Sequence, residues 1–128
     1  MTAEKAYETA CSSQSYCQQY GITGRCFANT QHALLITEGP KPVLDFHYMT
    51  IQKDPLVQTV LLHVDRVIPE REFSDFSVWL NLNKTLQFSD HIFALTAENV
   101  KHALPENPSP RLRIMAEAYL DDDMLSAN

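Results

Sequence analysis

Histidine, aspartate and cysteine side chains are the groups in this chain with the types needed for metal or nucleophilic chemistry. His63 and Asp65 are two positions apart, so on a strand they share one face and could begin a metal site. The other histidines are dispersed and supply no third ligand at a recognisable spacing. We therefore expect no metal and interpret the pair as part of a solvated strand face.

The three cysteines are Cys11, Cys17 and Cys26, and they contain no Cys-x-x-Cys pair. An odd number does not fit a disulfide framework, so we expect free thiols in a reducing compartment. Nothing in the spacing brings a cysteine next to a histidine as a nucleophile pair. The chain also lacks a glycine-rich phosphate loop, and we expect that it is not an enzyme.

Size and charge narrow the class of protein. A length of 128 residues is enough for one compact domain with one core. The net charge of −6 argues against nucleic acid as a partner, because phosphate binding needs a basic face. No apolar run is long enough to cross a bilayer and the N-terminus does not resemble a signal peptide, so we expect a cytoplasmic location without membrane binding.

The hydrophobic periodicity predicts an alternation of helices and strands. The second strand is apolar on both faces, which indicates an interior strand, whereas the strand that begins at Phe76 alternates and reads as half-buried. The predicted elements are a helix over 2–20, strands over 23–29 and 32–38, a helix to Lys53, strands over 57–67, from Phe76 and over 86–94, and helices capped by Thr96 and Ser109.

This order predicts an α+β fold, a ferredoxin-like sandwich whose usual first strand is missing or replaced. We expect a core over 1–95 and a helical C-terminal cap over 96–122, whose two helices are joined by a stiff, proline-containing connection. Residues 123–128 are expected to form a disordered tail.

Several short motifs occur in a recognisable order. They are Gly21-Ile22-Thr23-Gly24, the run from Leu34 to Glu38-Gly39, Ile51 followed by Asp54-Pro55, and Phe73-x-Asp75-Phe76-Ser77. In order and spacing this series resembles the core of a BLUF domain, the flavin-based blue-light sensor module. The resemblance covers about half of the chain, and it implies the α+β fold predicted above.

The resemblance also implies where a flavin would be contacted. In the family a Tyr on the first strand, a Gln on the third, two Asn before the Gly-Ile-Thr-Gly motif, an Arg on the second helix and an Asp after it hold the cofactor. The Asn positions fall here at Tyr16 and Cys17. The remaining matched flavin-site positions are Ile22, Leu35 (Gln in the family), Thr50 (Arg in the family), Ile51 and Asp54.

These replacements remove polar partners of the flavin ring. Each ring-edge group left unpaired costs roughly 1–3 kcal/mol, so several losses weaken binding by orders of magnitude. We therefore expect that Ile22, Leu35, Thr50, Ile51 and Asp54 do not form a working flavin site and that no cofactor is bound. FAD is the expected cofactor only if the chain is instead a blue-light photoreceptor.

Three functions follow from this comparison of positions. The first is a flavin-independent regulatory or protein–protein interaction module on a degenerate BLUF scaffold, without blue-light photochemistry. The alternative is an FAD-binding blue-light photoreceptor with a rebuilt flavin site. The third is a small acylphosphatase-like enzyme, although its phosphate cradle would follow the strand that is missing.

A missing first strand leaves a gap in the sheet with unpaired backbone groups, which proteins do not tolerate when buried. Residues 86–94 could fill the gap, or a second chain could pair a strand there. We therefore expect a protein partner or a homo-oligomer, with strand pairing as one way to form it.

Overall fold

The computed structural model describes residues 2–54, 68–82 and 91–120. A helix comes first, as the sequence predicts, and no strand precedes it in the described residues. The elements in chain order are α1 (Ala3–Gln19), β1 (Thr23–Ala28), β2 (Ala33–Glu38), α2 (Lys41–Lys53), β3 (Phe76–Leu80), β4 (Ile92–Ala94), α3 (Val100–Ala103) and α4 (Pro110–Tyr119).

The described strands form one mixed sheet in the order β2-β1-β3-β4. β1 and β2 are an antiparallel hairpin, and its turn is held by Asn29, whose Oδ1 accepts from the backbone N–H of His32 at 2.7 Å. β3 runs parallel to β1 on one side and parallel to β4 on the other. The combination of this sheet with packed helices confirms the predicted α+β class and is consistent with a ferredoxin-like fold.

α1 covers one face of the sheet. Its alanines Ala3, Ala6 and Ala10 recur at helical spacing and are buried in the cluster that contains Phe76 of β3 and Ile92 of β4. Small side chains let the helix lie close to the strands. The helix begins after the capping residue Thr2 and is followed by Gly21, whose φ of 71° is the conformation expected just beyond a helix end.

The C-terminal helices cover the opposite face. Phe27 of β1 and Trp79 of β3 pack there with Leu95 and Ala103. α4 begins as predicted, because Ser109 Oγ accepts from the backbone N–H of Leu112 at 3.2 Å and Pro110 occupies the first helical position. α3 is shorter than expected, since Thr96 caps only a turn and the helix starts at Val100. The division into a core and a cap remains a prediction.

Two expectations about strand burial are corrected. All five residues of β3 are buried, so the prediction of a half-buried strand is wrong: α1 covers one face and the C-terminal helices cover the other. β2, predicted to be interior, is the outermost strand at one end of the sheet formed by the described residues.

Some predicted features lie outside the described residues. These are the strand over 57–67, the first part of the strand over 86–94 and the tail over 123–128. The end of the 86–94 prediction is confirmed, because Ile92–Ala94 forms β4 beside β3. Among the described helices, none has the length and apolar character that crossing a membrane requires.

Candidate functional site

The five matched flavin-site positions lie in three parts of the structure. Ile22 follows α1 and is buried in the core between α1 and the sheet. Leu35 lies on β2. Thr50, Ile51 and Asp54 lie at the C-terminal end of α2, where Asp54 is the capping residue. The structure therefore brings the last three together and leaves Ile22 as a core residue.

An open cleft of about 430 Å³ lies beside the C-terminal end of α2. Its described lining consists of Thr50 and Asp54 with Phe46, Met49 and Lys53. The Thr50 hydroxyl donates to the carbonyl oxygen of Phe46 at 2.9 Å, so its proton is already engaged within the helix. Phe46 and Met49 supply exposed apolar surface to the cleft, and Lys53 and Asp54 supply its charged groups.

Leu35 faces the side of the sheet that carries α1. Its neighbours Leu34 and Ile36 pack into the cluster on the opposite face, and side chains alternate along a strand. Leu35 is paired with Cys26 in the β1–β2 register and is 37% exposed. Because it has no polar atom, it cannot make the hydrogen bonds of the family's Gln.

Tyr16 of α1 and His47 of α2 stack against each other and connect the two helices. Their ring centroids are 5.1 Å apart and their planes are inclined by 19°. His47 is 8% exposed. Tyr16 also contacts the ring of Tyr20, and the centroids of these two rings are 4.6 Å apart. This contact, the Tyr16–His47 stack, joins the helix with the matched Asn position to the helix with the matched Arg position.

Loss of solvation shifts the pKa of each ring of the stack in the direction that favours its uncharged form. It lowers the pKa of His47, because the imidazolium is poorly solvated there. Burial, and then the neighbouring Tyr20 and Cys17, raise the pKa of Tyr16. A neutral imidazole carries one donor and one acceptor nitrogen, and a neutral phenol can both donate and accept. The stack therefore contains donors and acceptors of the kind that Leu35 lacks.

Cys17 and Cys26 belong to the same packed region beneath α1. Burial raises the pKa of both thiols to about 12. At neutral pH these thiols are protonated, and a protonated thiol is a poor nucleophile. The structure thus assigns them a packing role and gives no support to a cysteine nucleophile.

The histidines and carboxylates of the described ranges do not converge on a metal-binding group of three or more ligands. His63 and Asp65, the pair that could begin a metal site on a strand, lie outside the described residues. The expectation of no metal therefore stays a prediction.

The sequence did not identify His47 as a site residue. His47 lies among the apolar residues that recur at helical spacing before Lys53, and it is the buried residue of α2. Its relation to Thr50 is the signal that could have found it, because residues three apart lie on one side of a helix. Tyr16 was identified only as the replacement of a family Asn.

A flavin ring does not fit between Tyr16 and His47 as they stand. A third ring needs about 7 Å, twice the roughly 3.5 Å contact distance between carbon atoms, whereas the centroids are 5.1 Å apart. The matched positions on β2 and α2 also fail to reproduce the family's polar contacts. Any flavin bound between these helices has to be held by other groups of this chain, after the stack has opened.

Comparison with known proteins identifies a family. The family model described as "BLUF: Sensors of blue-light using FAD" matches residues 1–79. The match contains α1, β1, β2, α2 and all but the last residue of β3. No curated protein and no solved structure matches the chain.

The family match corrects the expectation about the cofactor and changes which of the three candidate functions is favoured. The prediction that no cofactor is bound is wrong, because the matching family uses FAD. The match favours the photoreceptor alternative over the flavin-independent module. The family consists of sensors, and the acylphosphatase-like reading gains no support from it.

Proposed function

Because the chain belongs to the BLUF family of blue-light sensors that use FAD, we propose that it binds FAD in a site rebuilt around Tyr16 and His47. Bound FAD supplies the absorption of blue light. The observation that carries the proposal is the Tyr16–His47 stack, in which the partly exposed Tyr16 ring covers the buried, neutral His47 between α1 and α2.

His47 offers the combination of groups that the family obtains from its Gln. An amide side chain has both a donor and an acceptor, and a neutral imidazole has one of each. The lowered pKa of His47 keeps the acceptor nitrogen unprotonated at neutral pH. A side chain that can both donate and accept hydrogen bonds suits the edge of the flavin ring, which presents carbonyls and an N–H.

Tyr16 provides the second polar group and part of the apolar surface. Its phenol is protonated at neutral pH, since the ordinary pKa of a tyrosine is about 10 and desolvation raises that of Tyr16 further. Aromatic rings also stack favourably on one another, by about 0.5–1.5 kcal/mol beyond the burial of area. The Tyr16–His47 contact is thus of a kind that another aromatic ring can replace.

The C-terminal cap is hydrogen-bonded to the sheet. Arg25 of β1 donates from Nε to the carbonyl oxygen of Ala103 in α3 at 2.7 Å. The same guanidinium donates from Nη1 to the carbonyl oxygen of Asp75 at 2.9 Å. We infer that the chain signals to a protein partner through this cap, whereas a homo-oligomer formed by strand pairing remains a prediction.

Absorbance spectroscopy of the purified chain tests the flavin proposal. The chain, reconstituted with FAD, is expected to be yellow and to show a reversible red shift of its flavin bands after blue light. The variant H47A should bind FAD about tenfold or more weakly, since it loses hydrogen bonds worth roughly 1–3 kcal/mol. H102A, which changes an exposed histidine next to Ala103, should bind like the wild type. A colourless chain that takes up no FAD would contradict the proposal.

A further inference from the structure

A second cleft, of about 210 Å³, lies where the C-terminal end of α1 meets the start of β1, the segment before β3 and His91. Its floor includes the buried side chains of Ile22 and Phe76. The volume is below the roughly 300–1,000 Å³ of sites for drug-sized ligands, so the cleft excludes a dinucleotide such as FAD. The polar residues that matter are Gln14, Gln18, Arg71, Asp75 and His91.

Arg71 is held at the rim of the cleft with part of its guanidinium unused. Nη1 donates to the carbonyl oxygen of Gly21 at 2.8 Å and lies 3.3 Å from the Thr23 hydroxyl. Nε and Nη2 have no acceptor among the described residues, and no carboxylate of those residues forms an ion pair with Arg71. A guanidinium oriented in this way presents a planar fork that matches a carboxylate.

Two carboxamides of α1 stand one helical turn apart in the cleft. Gln14 is 9% exposed, yet its Nε2 lies 3.5 Å from both the carbonyl oxygen of Phe76 and Oε1 of Gln18. These distances are at the limit for hydrogen bonds, which in proteins are usually about 2.9–3.0 Å long. A nearly buried amide with such long contacts is available to a better partner.

The lining of the cleft also includes a carboxylate whose charge is already compensated. Asp75 Oδ1 accepts from Arg25 at 2.9 Å, and Asp75 Oδ2 lies 3.3 Å from His91 Nε2. Asp75 therefore does not repel an anion as an isolated carboxylate would. His91 has a φ of 67°, a left-handed conformation that is uncommon for residues other than glycine and tends to occur at binding sites.

We propose that this cleft binds a small carboxylate of about the size of an amino acid. The fork of Arg71 holds the carboxylate, and the carboxamides of Gln14 and Gln18 bind a second polar group of the ligand. The cleft shares Ile22 with the matched flavin-site positions, but neither Tyr16 nor His47 is among its lining residues. A carboxylate ligand there goes beyond the flavin function. It gives the domain an input from a small metabolite in addition to light.

Nuclear magnetic resonance of the full, ¹⁵N-labelled chain tests this site with a matched pair of probes. Succinamate has one carboxylate and one amide, and succinamide replaces that carboxylate with a neutral amide. We expect succinamate to shift the side-chain amide signals of Gln14 and Gln18 in a saturable manner, and succinamide to bind about tenfold or more weakly. Equal responses to the two probes would overturn the proposal, as would tighter saturation of the same signals by inorganic phosphate.

Variants of Arg71 test the assigned contact. R71Q should weaken succinamate binding about tenfold or more, whereas R113Q, an equal change of charge at an exposed residue of α4, should not. R71K keeps the charge without the fork and should give an intermediate loss, which serves as the test if R71Q does not fold. Identical binding by R71Q and R113Q would disprove the site. The titration does not depend on bound FAD, so its failure leaves the flavin proposal intact.

Discussion

Arg25 and Asp75 form an ion pair, with Nη1 of Arg25 2.9 Å from Oδ1 of Asp75, where β1 and β3 begin side by side. The Arg25 side chain is 14% exposed and that of Asp75 45%. An ion pair with one half-exposed partner contributes at most about 1 kcal/mol. Arg25 also donates to the backbone carbonyls of Gly24, Asp75 and Ala103. The arginine therefore contributes more to stability than its ion pair does.

Removal of Arg25 should destabilise the fold more than removal of the charge on Asp75. We expect R25M to lower the free energy of unfolding by about 2 kcal/mol or more, because buried carbonyl oxygens lose a charged donor. D75N should cost about 1 kcal/mol or less, since it leaves those carbonyl contacts in place. Urea unfolding followed by circular dichroism measures both changes. Equal losses in the two variants would show that the ion pair itself dominates.

Gly24 should tolerate no side chain. Its φ is 144°, and a Cβ at this residue would lie 1.9 Å from the carbonyl oxygen of Ile36 on the paired strand. Because that neighbour is backbone, the β1–β2 pairing has to shift, and we expect G24A to cost about 3 kcal/mol or more or to prevent folding. At Gly39 the nearest atom would be 3.6 Å away, so G39A should be close to neutral by comparison. Thermal unfolding compares the two, and a G24A melting temperature equal to that of G39A would contradict this prediction.

Leu35 is the position at which the family's Gln can be restored. The side chain is partly exposed on the α1 side of the sheet, so L35Q should change the free energy of unfolding by less than about 1 kcal/mol. If FAD is bound beside α1 and α2, L35Q should raise its affinity, because it adds a donor and an acceptor.

Leu34 provides the matched control for that experiment, because it packs into the cluster on the opposite face. L34Q should destabilise the chain by about 1–3 kcal/mol through burial of an unpaired amide and should leave FAD affinity unchanged. Reconstitution followed by fluorescence of the free flavin measures affinity. A rise in affinity for both variants, or for neither, would place the flavin elsewhere.

His47 should make stability depend on pH in the mildly acidic range. Its pKa in the folded chain is lowered by burial, so the unfolded chain binds the proton first as the pH falls below about 6.5. The stability that the neutral imidazole contributes is present above that pH and is lost as the pH falls towards and through the folded pKa. H47N does not titrate, and its unfolding free energy should fall less between about pH 7.5 and pH 5.5. The exposed H102N variant should keep the wild-type slope; a shared slope for all three proteins would exclude His47 as the cause.

Local signals predicted most elements, and contacts distant in sequence decided the rest. Ser109 and Pro110 mark the start of α4, and Gly21 marks the end of α1, because capping depends on neighbours along the chain. The sequence did not predict the burial of β3, because Ser77 and Trp79 form a hydrogen bond with each other. Trp79 Nε1 donates to Ser77 Oγ at 3.0 Å. A polar residue that bonds to its own strand neighbour can be buried without a signature in the hydrophobic pattern.

The sequence predicted which positions of the candidate site share one element, but not which elements lie against each other. The matched positions on α2 come together because they share one helix end, which periodicity reveals. The contact between Tyr16 and His47 joins two helices separated by the whole β1–β2 hairpin. No spacing rule connects these residues, because their meeting depends on how both helices lie on the sheet.

Trp79 is the single tryptophan of the chain and stacks on Phe93 at a centroid distance of 4.6 Å on the face covered by the C-terminal helices. The consequence is spectroscopic. All tryptophan fluorescence of the protein originates from this one residue on β3, so the signal has a single source. Tryptophan emission overlaps flavin absorption, so Trp79 can serve as an energy-transfer donor to a bound flavin. Quenching of its fluorescence would therefore report the binding of FAD without any added label.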